Sequence, residues 1–297
     1  MCPVSNAFTV RVPATSANLG PGFDALGLAL TLYDTVSAEL ADVTSVEITG
    51  EGAGELPTDE KHLIAQTMRE TFAQIGQAMP GVRLTCVNNI PQARGLGSSS
   101  AAIVAGVTLA NALAGAPLSQ ARQLSVAARI EGHPDNVAPC LLGGFTIAWL
   151  SGDDARAVSL PPSPDVRPTL LVPSKKILTA QARAALPRTV PHADAAFNAG
   201  RSALLVYALT AAPDLLFEAT EDRLHQGYRA PGMPETAAMV EALRGLGAPA
   251  MVSGAGPTVL VLGPLPVGFV PDEGWLSHNL AAQSGGTRVL PVTFPTR

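Results

Sequence analysis

Hydrophobic and polar residues alternate over 8–12, the two-residue period of a sheet strand, and Pro13 is expected to end that strand. Residues 25–33 are almost continuously apolar and predict a buried strand. Residues 43–49 alternate again. Over 59–79 the period changes to that of a helix: Leu63, Ile64, Met68, Phe72, Ile75 and Met79 share one face. Pro57 and Thr58 are its start signals, and Pro80-Gly81 its stop. A strand at 82–87 leads into a glycine- and serine-rich stretch. The helix that follows, 101–114, is apolar almost all round and should lie buried. A helix at 119–130 ends in a polar loop, and a strand at 145–150 follows Gly143-Gly144.

The second half mixes elements. Residues 151–168 are proline-rich and polar, with a short strand-like run at 155–160. They mark the expected domain boundary, dividing 1–155 from 156–297. Beyond it the pattern predicts strands at 170–172, 250–253, 259–262 and 288–294. Helices are predicted at 179–186, 192–212, 215–224, 237–246 and 273–283. Such a mixture is an α+β arrangement.

Composition narrows the function classes. With 297 residues, 47% of them hydrophobic but only 4% aromatic, the chain can build one or two aliphatic cores. A net charge of -5 without a basic tract argues against a nucleic-acid partner. Cys2, Cys86 and Cys140 lack metal or disulfide spacing. No signal peptide and no membrane-length apolar run are seen, so a soluble cytoplasmic protein is expected.

The candidate chemistry centres on Pro91-Gln92-Ala93-Arg94-Gly95-Leu96-Gly97-Ser98-Ser99-Ser100-Ala101, placed where a loop turns into a helix. Glycine leaves backbone N–H groups unobstructed, and a helix N-terminus adds unpaired donors and partial positive charge. The stretch is either an N-capped helix after a tight turn or a phosphate cradle. Lysine occurs only at 61, 175 and 176, and none follows the glycines. Phosphate charge would therefore meet backbone dipoles, arginines and a metal ion. Two further loops carry alternatives. Asn18 and Asp24 either close a turn on their own backbone or bind substrate. Glu131-Gly132-His133-Pro134-Asp135-Asn136 either caps a helix end or offers Glu131 or Asp135 to Mg²⁺.

Three segments in this order resemble the signature motifs of the GHMP small-molecule kinases: Arg11 to Asp24, Pro91 to Ala101, and Ser253-Gly254-Ala255-Gly256-Pro257-Thr258. The Ala14-Thr15-Ser16-Ala17-Asn18-Leu19-Gly20 run, the Gly132 to Pro139 run and Tyr228-Arg229 are similar to the branch that phosphorylates L-homoserine. The resemblance implies a two-domain α+β fold. An N-terminal ATP-binding α/β domain of ribosomal S5 domain 2-like type would precede a C-terminal ferredoxin-like domain, with the active site in the cleft between them. ATP and Mg²⁺ are implied, with Pro91, Arg94, Gly95, Leu96, Gly97, Ser98, Ser99, Ser100 and Ala101 around the phosphates. Ser98 and Glu131 would hold the metal. Asn18, Asp24, His133, Arg183 and Arg229 would bind the small-molecule substrate, Asp24 against its ammonium and the arginines against its carboxylate. Asn18, Arg183 and Asn136 would act in transfer. Asn136 stands where mevalonate and galactose kinases of the family place an aspartate base, so transfer without an aspartate base is expected. A homodimer, with neither nucleic acid nor membrane as partner, is implied as well. The alternatives are a kinase for another alcohol, such as mevalonate, and a non-catalytic nucleotide-binding relative that regulates a partner.

Overall fold

The computed structural model describes residues 6–290 and arranges them around two sheets. The first contains β1 (Ala7–Ala17), β2 (Leu26–Leu40), β3 (Ser45–Gly50), β4 (Val82–Asn88), β5 (Phe145–Ser151) and β6 (Asp154–Leu160). Packed with it are α1 (Leu63–Ile75), α2 (Ser98–Leu113), α3 (Gln120–Glu131) and α4 (Pro134–Leu142). The second sheet begins with β7 (Thr169–Pro173). There follow α5 (Thr179–Ala184), α6 (His192–Thr210), α7 (Leu216–Ala219), α8 (Gln226–Arg229) and α9 (Pro234–Gly245). β8 (Ala250–Val252), β9 (Val259–Val261) and β10 (Trp275–Asn279) complete that sheet, and β11 (Arg288–Leu290) ends the described chain.

The first sheet runs β11-β1-β2-β4-β3, with β5 on the start of β2 and β6 on β5. Only β3 and β4 pair in parallel. β1 does not stop at Pro13. The register shifts between Pro13 and Ala14, and the strand continues to Ala17. Proline cannot donate to a ladder, so an interior strand accommodates it at such an irregularity. The consequence is functional: residues 14–17, expected in a loop, are a buried strand that carries Thr15 and leads straight into Asn18.

The clear amphipathic helix is shorter than its pattern. His62 caps α1 by accepting from the Ile64 N–H at 3.3 Å, and Gly76, at φ 79°, ends it in the left-handed conformation. α2 begins at Ser98, not at Ala101, so the three serines form its first turn. Its all-round apolar surface packs against β1, α1, α3 and α4. α4 is a helix where the pattern suggested only a loop; Pro134 suits its first position, while Pro139 disguises its interior.

β7 is buried on both faces. Leu170 and Val172 join Leu205 and Leu209 of α6 in the larger core, while Leu171, Val259 and Val261 face Met239 and Leu243 of α9. The helix expected over 215–224 is replaced by a 3₁₀ turn at Pro213–Leu215 and by α7. The helix expected over 273–283 is replaced by β10, all five residues of which pair with β7. Strand pairing overrides the local preference there. The chain then crosses back: the Gln283 N–H donates to the Ala29 carbonyl at 2.8 Å, and β11 pairs with β1. The division expected at 155/156 falls inside β6, which pairs along its whole length with β5 in the first sheet. Cys2 and the last residues of the strand expected over 288–294 lie outside the described residues; Cys86 and Cys140 are buried free thiols.

Candidate active site

α2 presents its N-terminus to a cavity of about 250 Å³ between the two sheets. Gly97, at φ 70°, is the N-cap, and the first turn contains no acidic residue of its own. The N–H groups of Ser98, Ser99 and Ser100 therefore face outward without intrahelical acceptors. A Cβ at Gly97 would meet the Thr15 hydroxyl, and one at Gly95 would meet the Ser253 carbonyl, so only glycine lets the loop pack this closely on its neighbours. Three ties hold it. The Thr15 N–H donates to the Leu96 carbonyl at 3.1 Å, and the Ser253 hydroxyl donates to the Gly95 carbonyl at 2.7 Å. Arg94 donates from Nε to the Pro173 carbonyl at 2.9 Å and from Nη2 to the Ser174 carbonyl at 3.0 Å. The arginine thus fastens the loop to the end of β7, although it still lines the cavity.

Glu131 ends α3 and reaches the same helix terminus. It accepts from the Ser99 hydroxyl at 2.9 Å and from the Ser100 hydroxyl at 2.7 Å. Ser98 lines the cavity beside them. These are hard oxygen donors, the set that suits Mg²⁺. No cluster of three His, Cys, Asp or Glu residues able to hold a metal exists among the described residues, so any cation here would need ligands from phosphate and water.

The loop from Asn18 to Asp24 closes the opposite wall. Asn18, Leu19 and Asp24 all have positive φ (67°, 49° and 55°), a concentration of strain in one short segment. Asn18 braces it: its side-chain amide donates to the Gly254 carbonyl at 2.8 Å and accepts from the Asp24 N–H at 3.0 Å. Of its two alternatives Asn18 meets the first, closing the turn, and it also lines the cavity. The Asp24 carboxylate forms a two-pronged pair with Arg183 of α5, both contacts at 2.9 Å. That carboxylate raises the affinity of Arg183 for its proton.

Arg229, 3% exposed, lies beside them. Its Nε donates to the Ala182 carbonyl at 3.2 Å, and its Nη1 to the Gly254 carbonyl at 3.2 Å and to His225 Nδ1 at 3.1 Å. Nη2 has no protein acceptor among the described residues. Burial lowers the proton affinity of Arg229, and Arg183 lowers it further. His133 precedes α4 and bonds through Nδ1 to Asp135 Oδ1 at 2.5 Å; that bond raises its pKa above the ordinary 6.5. Asn136 accepts from the Thr15 hydroxyl at 2.8 Å.

The cavity therefore gathers Asn18, Asp24, Pro91, the stretch from Arg94 to Ser99, Glu131, His133, Asn136, Arg183 and Arg229. Ser100 is buried behind its bond to Glu131, and Ala101 lines a second cavity of about 350 Å³. That second space adjoins the first through Ala93, Ser98 and Ser99 and is walled by Val12, Val36, Leu56, Leu63 and Ile64, with Asp34, Lys61 and Asn88. Its lining comes from five separate stretches of chain, and no local motif announces it. Thr15 and Asp135 were legible as parts of polar segments, but their partners were not.

Comparison with known proteins identifies a family for the chain. The family GHMP kinases N terminal domain matches residues 62–144, and GHMP kinases C terminal matches residues 205–266. A homoserine kinase of Streptomyces avermitilis is 53% identical over 96% of this chain and 96% of its own. One of Streptomyces coelicolor is 54% identical over 96% and 95%. The crystal structure of a homoserine kinase from Cytophaga hutchinsonii superposes with a TM-score of 0.83 at 27% identity, covering 98% of this chain and 99% of that one. A mevalonate diphosphate decarboxylase from Enterococcus faecalis, 15% identical with a TM-score of 0.67 over 96% and 99%, shares the fold.

Proposed function

We propose, for a chain that belongs to the homoserine kinases of the GHMP kinase family, a way in which this cleft holds its two substrates and brings them together. The enzyme transfers the γ-phosphoryl group of ATP to the side-chain hydroxyl of L-homoserine, giving O-phospho-L-homoserine and ADP on the way to threonine. One observation carries the assignment of the pocket. A carboxylate, Asp24, and two arginines, Arg183 and Arg229, converge in the same cavity as the N-terminus of α2.

An amino acid is a zwitterion, and this pocket has the opposite charges ready. In the structure Asp24 and Arg183 satisfy each other. L-Homoserine replaces both halves of that pair: its ammonium takes Asp24, and its carboxylate takes Arg183 together with Nη2 of Arg229. Both guanidinium forks suit a carboxylate. Asn18 holds the backbone of Asp24 in place, and His133 borders the space left for the side chain. A ligand lacking the ammonium leaves Asp24 unmatched, which disfavours mevalonate.

The nucleoside of ATP occupies the apolar second cavity. Its phosphates would lie over the N–H groups from Gly95 to Ser100, with Pro91 and Arg94 shaping the loop and Ala101, whose N–H is bonded to the Gly97 carbonyl, behind them. The unpaired N–H groups in the first turn of α2, which starts at Ser98 after Gly97, fit such a group. Ser98 and Glu131 would hold Mg²⁺, which when bound would neutralise phosphate charge. Asn136, oriented by Thr15, has an amide nitrogen without a protein acceptor and directs the substrate hydroxyl; it cannot take a proton. Asp135 is engaged by His133. Phosphoryl transfer needs mainly positioning and charge stabilisation, so the reaction runs without an aspartate base, with Asn18, Arg183 and Asn136 as the positioning groups of the transfer.

The same reading makes the enzyme a cytoplasmic homodimer. No helix among the described residues is long and apolar enough to cross a membrane, and light scattering after gel filtration measures the mass directly. The function is tested by coupled ADP release with Mg-ATP and L-homoserine, D-homoserine, L-threonine, mevalonate and galactose. Turnover mainly with L-homoserine supports the pocket. Turnover with mevalonate or galactose instead discards it.

A further inference from the structure

A buried histidine that the transfer itself does not use lies between two walls of the substrate pocket. His225 is 0% exposed and immediately precedes α8, the helix that carries Arg229. Its Nε2 lies 2.8 Å from the carbonyl oxygen of Gly20, in the strained loop that carries Asp24. Its Nδ1 lies 3.1 Å from Nη1 of Arg229. A carbonyl can only accept and a guanidinium can only donate. The two neighbours therefore dictate one form of the ring: neutral, with Nε2–H donating to Gly20 and Nδ1 accepting from Arg229.

The surroundings favour that form. Burial lowers the proton affinity of His225, and the charge on Arg229 acts in the same direction. Asp222 lies 3.6 Å from Nε2, but its carboxylate accepts the N–H groups of Leu224, His225 and Gln226 and so serves the turn that leads into α8. The Phe23 ring covers the imidazole at 5.3 Å between centroids, and the Arg229 guanidinium lies 5.5 Å from the same ring. Gly20 itself is pressed onto this segment, since a Cβ there would come within 2.5 Å of the Thr220 carbonyl oxygen. Of the three acceptors that hold Arg229, two are backbone carbonyls, and His225 is the side chain.

We infer that His225 is a positioning residue for substrate binding: one neutral imidazole ties the loop bearing Asp24 to Arg229 and so sets the spacing between the ammonium site and the carboxylate site. This rests on the reading that Asp24 and Arg229 receive the two ends of the amino acid. A group acting this way controls the affinity for L-homoserine and leaves the nucleotide site, on the far side of α2's first turn, alone.

Two conservative substitutions separate the links. His225→Asn keeps an acceptor near the position of Nδ1, and His225→Gln keeps a donor near that of Nε2. Loss of a buried hydrogen bond to a charged group predicts that His225→Gln raises the KM for L-homoserine about tenfold or more. The melting temperature should fall by a few degrees, the cost of the lost bond, while the KM for ATP stays close to that of the parent. His225→Asn should raise the homoserine KM by less, again without a change for ATP. In an Arg229→Ala background, His225→Gln should add nothing further, because the partner is gone. A homoserine KM within twofold of the parent in both His225 variants, while Arg229→Ala raises it, overturns the inference and leaves the pocket assignment standing. Equal rises in both KM values overturn it too, as the mark of a general structural role. An Arg229→Ala enzyme with an unchanged homoserine KM overturns the pocket assignment, and the inference with it.

Discussion

Arg183 and Asn136 show how much single side chains decide in this site. Arg183 spends both guanidinium arms on Asp24, and in the proposed binding mode the substrate carboxylate takes over that fork. Arg183→Ala should raise the KM for L-homoserine about 10- to 100-fold, the worth of a charge-assisted contact, with little change in the KM for ATP. Steady-state kinetics with each substrate varied in turn checks this. Asn136 is held by the Thr15 hydroxyl. Asn136→Ala should lower kcat while calorimetric binding of L-homoserine persists; an unchanged kcat would make the residue a spacer. The residue types at 18, 24 and 131 were legible in the chain because each belongs to a short polar segment, whereas 183 and 229 were named only through the family resemblance. The Asp24–Arg183 pair was not, because its members are 159 positions apart and meet only when α5 folds over the loop.

At the scale of elements, the turn proposed to bind phosphate depends on α2 starting three residues earlier than its apolar pattern suggests. Gly97 supplies the left-handed cap that makes this start possible. Gly97→Ala combines positive φ with a clash against Thr15, and should cost more than about 1 kcal/mol. Thermal unfolding should report that loss, and a raised KM for ATP should accompany it. The strand β2 carries a second liability. Asp34 is buried, accepts the Asn89 and Ile90 N–H groups, and has its pKa raised from 3.8 to about 6, chiefly by desolvation. A carboxyl whose pKa rises on folding stabilises the protein fully below its unfolded value, and that stabilisation is lost as the pH rises through about 6. Asp34→Asn keeps an acceptor and removes the charge. The variant should melt above the parent at pH 7.5, with the advantage gone at pH 4.

At the scale of the whole molecule, the active site exists only because two sheets share a cleft. Arg94 is the clearest joint, bonding the phosphate loop of the first sheet to Pro173 and Ser174 at the end of β7 in the second. Ser253 makes a second joint through Ser16 and Gly95. Arg94→Ala should lower the melting temperature and raise the KM for ATP together, since one side chain serves both the seam and the loop. An effect on ATP alone would instead make Arg94 a phosphate ligand only. The C-terminal segment strengthens the union by adding β10 to the second sheet and β11 to the first.

By itself the sequence determined the class of the fold, most of its helices and strands, the three glycine-rich segments and the chemical types around the cavity. Those properties live in short-range order: side-chain period, backbone freedom at glycine, and the clustering of polar residues in turns. Tertiary structure alone decided where β1 ends, that 275–279 is a strand, that α4 exists, and which groups are paired. A strand edge, a buried proline and an ion pair across 159 residues each draw their free energy from a partner elsewhere in the chain. His225 belongs with them: in the chain it is one polar residue among several between 221 and 229, and its meaning comes from Gly20, 205 positions away.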